Sequence, residues 1–161
     1  MDSVFDRLNG KLTAAGANFE VLCHAPVFTS EEAAAVRGTT LASGAKALVC
    51  KADDRFVLIV LPADRRLASK SVRKQEGVKS LRFASREEVV ELTGLAPGSI
   101  PPFGSLFGLT TWCDELLAQQ PRINFNAGDH AISISLAYAD FVRVEQPRVG
   151  KYADSPAPSE S

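Results

Sequence analysis

Lys46 interrupts an apolar run, Gly44-Ala45-Lys46-Ala47-Leu48-Val49-Cys50. A second run, Phe56-Val57-Leu58-Ile59-Val60-Leu61, follows after the polar turn Ala52-Asp53-Asp54-Arg55. Both are short and bounded by turn residues, so both read as buried strands. A lysine inside a buried strand must snorkel to water, find a counter-charge or do chemistry. Asp64 follows Leu61-Pro62-Ala63 at the end of the second run, a place for a site residue or for a turn cap. Further on, Gly94-Leu95-Ala96-Pro97-Gly98-Ser99-Ile100-Pro101-Pro102-Phe103-Gly104 holds three glycines and three prolines and cannot be regular structure. Its glycines leave backbone N–H groups bare and its prolines stiffen the path. Such a loop can hydrogen-bond a small polar ligand at little ordering cost, although most Pro/Gly loops are only turns.

Other chemistry is scarce. Cys23, Cys50 and Cys113 are far apart, and His24 and His130 are the only histidines. Their spacing gives neither a zinc site nor a disulfide framework, and reduced structural thiols are expected. His24 precedes Ala25-Pro26 in extended chain. His130 follows Asn126-Ala127-Gly128-Asp129, which reads as a tight hairpin turn. No nucleophile elbow, P-loop, dinucleotide fingerprint or paired carboxylates can be found.

The elements that must position these residues are mixed. Residues 2–16 read as an amphipathic helix through Val4, Phe5, Leu8 and Leu12, ended by Gly16. Phe19–Cys23 is a strand. Thr29 or Ser30 caps a helix that stops at Gly38. A basic helix spans Ala68 to Glu76, and Lys79–Phe83 is a short strand. Ser85 caps Arg86–Leu92, with Glu88 completing a capping box. Trp112–Ala118 is read as a short helix, Ile123–Phe125 and Ala131–Leu136 as strands, and 137–146 as a helix. Strands and helices do not alternate regularly, which argues an α+β fold.

At 161 residues the chain is one domain by length, with 45% hydrophobic and 23% charged residues and a net charge of −1. This excludes collagenous, membrane and wholly disordered classes. No apolar run approaches the ~18 residues of a membrane span. The N-terminus lacks the basic-then-apolar order of a signal peptide, so a cytoplasmic chain is expected. The expected domain is 1–147, with 148–161 a disordered tail that carries no packing residues. One local charge imbalance stands out. Arg65, Arg66, Lys70, Arg73, Lys74, Lys79 and Arg82 face only Glu76 within their stretch. That is either an anion-binding surface or a solvated face.

Several segments occur together and in order: Thr29-Ser30-Glu31-Glu32-Ala33-Ala34, Gly44–Val49, Leu61–Leu67, Leu81–Ser85, Glu91–Leu95, Gly98–Gly104 and Phe125–Gly128. Over residues 18 to 146 the chain resembles the YbaK/prolyl-tRNA-synthetase-associated domain family, relatives of the editing insertion of bacterial prolyl-tRNA synthetase. The resemblance implies a compact α+β domain around a mixed, barrel-like sheet. It implies hydrolysis of the ester joining a wrong amino acid to tRNA, with no metal and no organic cofactor. Small amino acids such as Ala, Ser, Thr or Cys on tRNA-Pro or a related tRNA are the expected cargo. Lys46 matches the family's essential lysine, and Gly98 and Pro102 match the ends of its Gly-x-x-x-Pro loop. The substrate-binding set it implies is Gly98, Ser99, Ile100, Pro101, Pro102, Phe103 and Gly104 with Thr29, Asp64, Asn126 and Gly128. Arg65, Lys70, Arg73 and Lys74 are expected to meet acceptor-stem phosphates. The expected partner is tRNA through its acceptor end, with an aminoacyl-tRNA synthetase as a second candidate and no membrane; the oligomeric state stays open. Competing readings are a non-catalytic tRNA- or synthetase-binding module and a hydrolase of another small ester.

Overall fold

Side-chain caps fix where three of the five described α-helices begin. In the computed structural model, which describes residues 2–154, helix α1 (Val4–Ala14) starts from a Ser3–Asp6 capping box. The strand β1 (Phe19–Cys23) leads to α2 (Ser30–Arg37), capped by Thr29 with Glu32 and ended by Gly38 at φ 69°. Then come β2 (Ala45–Ala52), β3 (Arg55–Pro62), α3 (Ser69–Glu76), β4 (Leu81–Phe83) and α4 (Arg86–Thr93). The chain closes with β5 (Thr110–Asp114), β6 (Arg122–Asp129), β7 (Ile132–Ala137), α5 (Tyr138–Glu145) and β8 (Arg148–Gly150).

The strands form two sheets. One is antiparallel in the order β1-β7-β6; the other is mixed, β4-β2-β3-β5-β8, with β5 parallel to both β3 and β8. A single parallel bridge, Gly44 to Asn124, joins the sheets, so they do not close into a strict barrel. Strand β3 is buried on both faces, which is why its apolar residues run without alternation. Leu58 and Val60 face a core shared with Ile123, Phe125, Ile134, Leu136 and α1. Val57, Ile59 and Leu61 face a second cluster with Val72 of α3, Trp112 and Tyr152. No helix among the described residues is long and apolar enough to cross a membrane.

Three expectations need correction. Thr110–Asp114 is a strand, and only Glu115–Gln119 turns, as a short 3-10 helix. Trp112 and Cys113 had suggested a helix, but parallel pairing beside β3 buries them both. Asn126–Asp129 is not a hairpin turn. It extends β6 through a bulge at Gly128 (φ 86°), and the reversal falls after Asp129. The segment from Arg148 does pack. β8 pairs with β5, and Tyr152 is fully buried, its ring stacked 5.9 Å from that of Trp112. The Tyr152 hydroxyl donates to Glu76 at 2.8 Å, and its backbone N–H donates to Asp114 at 2.8 Å. Only the part of the expected tail from 155 lies outside the described residues.

Tyr152→Ala should therefore cost about 3–5 kcal/mol, as removal of a fully buried aromatic does. Tyr152→Phe should cost about 1 kcal/mol for the hydrogen bond to Glu76. Urea unfolding of the three proteins measures both. An Ala variant as stable as the parent would place this segment outside the cooperative domain.

Candidate active site

Strand β2 begins where two backbones nearly touch. A Cβ on Gly44 would stand 2.9 Å from the Ala63 Cβ and 3.2 Å from the Leu41 carbonyl oxygen, so only glycine fits. Ala63 N–H donates to the Gly44 carbonyl at 2.8 Å, holding the end of β3 against the start of β2. Lys46 is the next residue but one, opposite Leu61, and its side chain is half-buried. Burial lowers its pKa below the usual 10.5, while Asp154 and then Asp64 pull it back up.

Lys46 lines a cavity of about 200 Å³ between α2, the start of β2 and the middle of β6. Thr29, Asn126, Gly98 and Ile100 share this wall with Lys46. The rest of the Gly98–Gly104 run does not line it. Ser99, Pro101, Pro102, Phe103 and Gly104 are buried, and Phe103 packs on Phe125 and Phe141. Their role is to anchor the loop. Gly98 sits at φ 92°, a conformation that side chains rarely adopt, with the His130 ring beside it. Thr29 spends its hydroxyl on capping α2. Asp64 is exposed outside the cavity, 3.7 Å from Arg65. Gly128 stands behind the loop and donates its N–H to the Ser99 carbonyl at 2.8 Å.

Three residues that sequence reasoning did not name, Arg37, Ser133 and Asn124, join Asn126 around the cavity. Asn126 donates to the Gly98 carbonyl at 2.8 Å and accepts from Arg37 at 2.8 Å. Arg37 also donates to the Ser133 hydroxyl at 2.7 Å, and Ser133 meets His24 Nε2 at 2.8 Å. His24 Nδ1 faces the Ala25 carbonyl at 2.8 Å, so in the neutral ring Nδ1 carries the proton and Nε2 accepts from Ser133. Asn124 lies deeper, 5% exposed. Ser43 donates its proton to the Thr40 carbonyl, so it can only accept from Asn124 Nδ2, at 3.0 Å. That fixes the amide: Oδ1 is left with no donor among the described residues. The signals were present in the sequence. Arg37 follows the buried Ala33 by four residues, on one helix face. Arg122, Asn124 and Asn126 alternate with apolar residues along β6.

The basic stretch is partly neutralised. Arg82 pairs with Glu88 at 2.8 Å, and Arg65 leans on Asp64 and the Asp154 carbonyl. Glu76, its expected opponent, instead binds Arg148 and Tyr152. Lys70, Arg73 and Lys74 on α3 are exposed.

Known proteins resemble this chain along most of its length. A family model for the aminoacyl-tRNA editing domain matches residues 24–144. The chain is 38% identical over 148 residues to the multifunctional Ser/Thr-tRNA deacylase ProXp-y of Escherichia coli K12, covering 89% of each chain. It is 30% identical over 112 residues to the proline–tRNA ligase of Bacillus subtilis, matching 66% of this chain and 20% of the ligase. Its fold superposes with a TM-score of 0.84 on the crystal structure of a proposed trans-editing enzyme for prolyl tRNA synthetase, at 25% identity, covering 96% of this chain and 99% of that one.

Lys46 should carry a pH signature in stability. Its folded pKa lies below its unfolded value, so the unfolded chain binds more protons between the two and stability rises with pH across that window. Below the window the charged lysine is a cost to folding. Lys46→Met should thus be at least as stable as the parent at neutral pH, with the gap closing as pH rises toward 10.5. Thermal melts across that range test it; a variant destabilised at pH 7 would show that Lys46 is mainly a packing residue.

Proposed function

Because the chain belongs to the aminoacyl-tRNA editing domain family, we propose that it is a deacylase acting in trans, cleaving the ester of a mischarged tRNA to free amino acid and tRNA. The observation that carries this is the meeting of Lys46 and Gly98 on one small cavity. An aminoacyl ester is already activated, so a held water and a stabilised oxyanion suffice. Water adds to the carbonyl carbon, the tetrahedral oxyanion forms beside the Lys46 ammonium, and the ribose oxygen departs with a proton. The neighbouring ribose hydroxyl assists the water, because no carboxylate or histidine among the described residues lines the cavity. Gly98 and Ile100 present the loop to the ribose, and Asn126 keeps Gly98 in place.

The cavity walls favour a small side chain. Ala33, Ala34, Ala45 and Ala63 line it with Gly44. The free Asn124 Oδ1 offers an acceptor to a serine or threonine hydroxyl, in line with the Ser/Thr-tRNA deacylase relative. A site that hydrogen-bonds a hydroxyl discriminates against the analogue lacking it far better than an apolar pocket does. The tRNA body would meet Lys70, Arg73 and Lys74 on α3, with Arg65 beside them and Asp64 at the margin. A prolyl-tRNA synthetase is the natural companion, since related domains occur within such enzymes.

Lys46→Ala is expected to lower deacylation of a seryl- or threonyl-tRNA by about 10²–10³-fold, the loss seen when one oxyanion donor is removed. Circular dichroism should show the parent fold. A panel of mischarged tRNAs names the amino acid. Hydrolysis at the parental rate by a folded variant would leave a binding module or a different catalytic group.

Reversing Arg73 and Lys74 to glutamate should weaken tRNA binding most at low salt. Each lost phosphate contact should flatten the slope of log affinity against log salt by roughly 1. Hydrolysis of a minimal aminoacyl ester should suffer much less. An unchanged slope would make α3 a solvated face and send the tRNA elsewhere.

A further inference from the structure

Among the described residues, the wall of the cavity holds two cations, Lys46 and Arg37, and no aspartate or glutamate. Arg37 is the more telling of the two. It sits in the last turn of α2, which lies over the polar face of the β1-β7-β6 sheet. There it meets Asn126 and Ser133, a cross-strand pair on β6 and β7. Both partners are uncharged oxygens. No ion pair to Arg37 exists among the described residues, whereas four other basic side chains have one. Burial alone draws its pKa down to about 10, with no neighbouring charge to offset it. A partly desolvated guanidinium without a counter-ion is a cost to folding. Two of its five N–H groups are committed, one from Nε and one from Nη2, and the remaining three have no partner among the described residues.

An anion is what this arrangement lacks. The reading as a deacylase narrows which one, and the inference rests on that reading. The aminoacyl end of the substrate brings an ammonium, which two cations would repel. The nearest negative charge in a charged tRNA end is the phosphodiester on the 5′ side of the terminal nucleoside. We propose that Arg37 binds this phosphodiester through its uncommitted guanidinium edge, leaving Lys46 to serve the ester carbonyl. The planar fork suits phosphate oxygens, and its bonds to Ser133 and Asn126 hold it in place before the ligand arrives. Because Asn126 also holds Gly98, phosphate capture and the ribose-facing loop share one rigid frame.

The test compares two esters that differ in the phosphodiester alone: the seryl ester of adenosine and that of cytidylyl-adenosine. Arg37→Gln should cost the dinucleotide ester about 10- to 100-fold more in kcat/KM than it costs the adenosine ester, with most of the difference in KM. Arg37→Lys should recover part of it. Asn126→Ala removes both the Gly98 tether and one of the two bonds that fix Arg37, so it should penalise both esters, the dinucleotide ester at least as much. An equal penalty from Arg37→Gln on both esters would overturn the proposal and make Arg37 a positioning residue for Asn126. So would no penalty on either. Calorimetric binding of unacylated cytidylyl-adenosine gives a readout free of catalysis. Arg37→Gln should weaken that binding about 10-fold or more and leave the weaker binding of adenosine less changed. If the parent protein cleaved neither ester, the deacylase reading would fall, and the dinucleotide titration would still decide for or against Arg37.

Discussion

Gly44 has no room for a side chain, and the site exists because of that. Its close approach to Ala63 lets β2 and the end of β3 run together into the bridge with Asn124. Among the described residues, that bridge is the one strand-like contact between the two sheets. On the larger sheet, Lys46 follows two residues later. On the smaller, Asn124 and Asn126 stand on the face that α2 covers. A residue with a Cβ at 44 would collide with Ala63 and the Leu41 carbonyl and displace the start of β2, from which Lys46 enters the cavity. Packing of this density does not deform continuously; a displaced wall becomes a different wall.

The second constraint is charge. Beside the cavity, uncharged groups bond one another, Ser43 to the Thr40 carbonyl and Asn124 to Ser43. The nearest acids stand back. Asp154 and Asp64 influence Lys46 through space and do not line the cavity. Asp154 is itself occupied, its carboxylate accepting from the Arg66 backbone at 2.9 Å. This spacing keeps Lys46 from being neutralised by an ion pair while moderating what burial does to it. A closer carboxylate would hold the ammonium in a salt bridge and compete with any carbonyl or phosphate for it.

Much of this was legible in the sequence because it rests on local rules. Thr29 or Ser30 marked one helix start and Ser85 with Glu88 another, and Gly38, Gly77 and Gly94 marked three ends. The unbroken apolar run of β3 marked a strand buried on both sides. The failures share a cause: each depended on a partner far along the chain. Trp112 and Cys113 look helical until β3 lies beside them. The segment after Arg148 has one large packing residue, Tyr152, and its slot is made by Trp112, Glu76 and Asp114. Charge counting along 65–82 missed that Glu88 and Asp64 come from elsewhere or from the margin of the stretch. By its position in the last turn of α2, Arg37 is an ordinary favourable cation at a helix C-terminus. Its meaning appears only when α2 is laid across β6 and β7.

The Gly98 loop shows how rigidity is distributed around the cavity. Two bonds from β6 hold it: Asn126 to the Gly98 carbonyl, and Gly128 N–H to the Ser99 carbonyl. For both to reach, β6 must bulge between Asn126 and Asp129, and the bulge requires the positive φ of Gly128. A Cβ there would also press on Val4 at 3.1 Å, so the bulge is fitted against α1 as well. Behind the loop, Phe103 locks its far end between Phe125 and Phe141. The loop is therefore not a flexible lid. Its backbone is set before any ligand binds, so ordering it costs little at the moment of binding. Gly128 and Phe103 never face the cavity, yet they determine where Gly98 points. That is why a glycine and a buried aromatic outside the cavity belong to the same motif as the residues that line it.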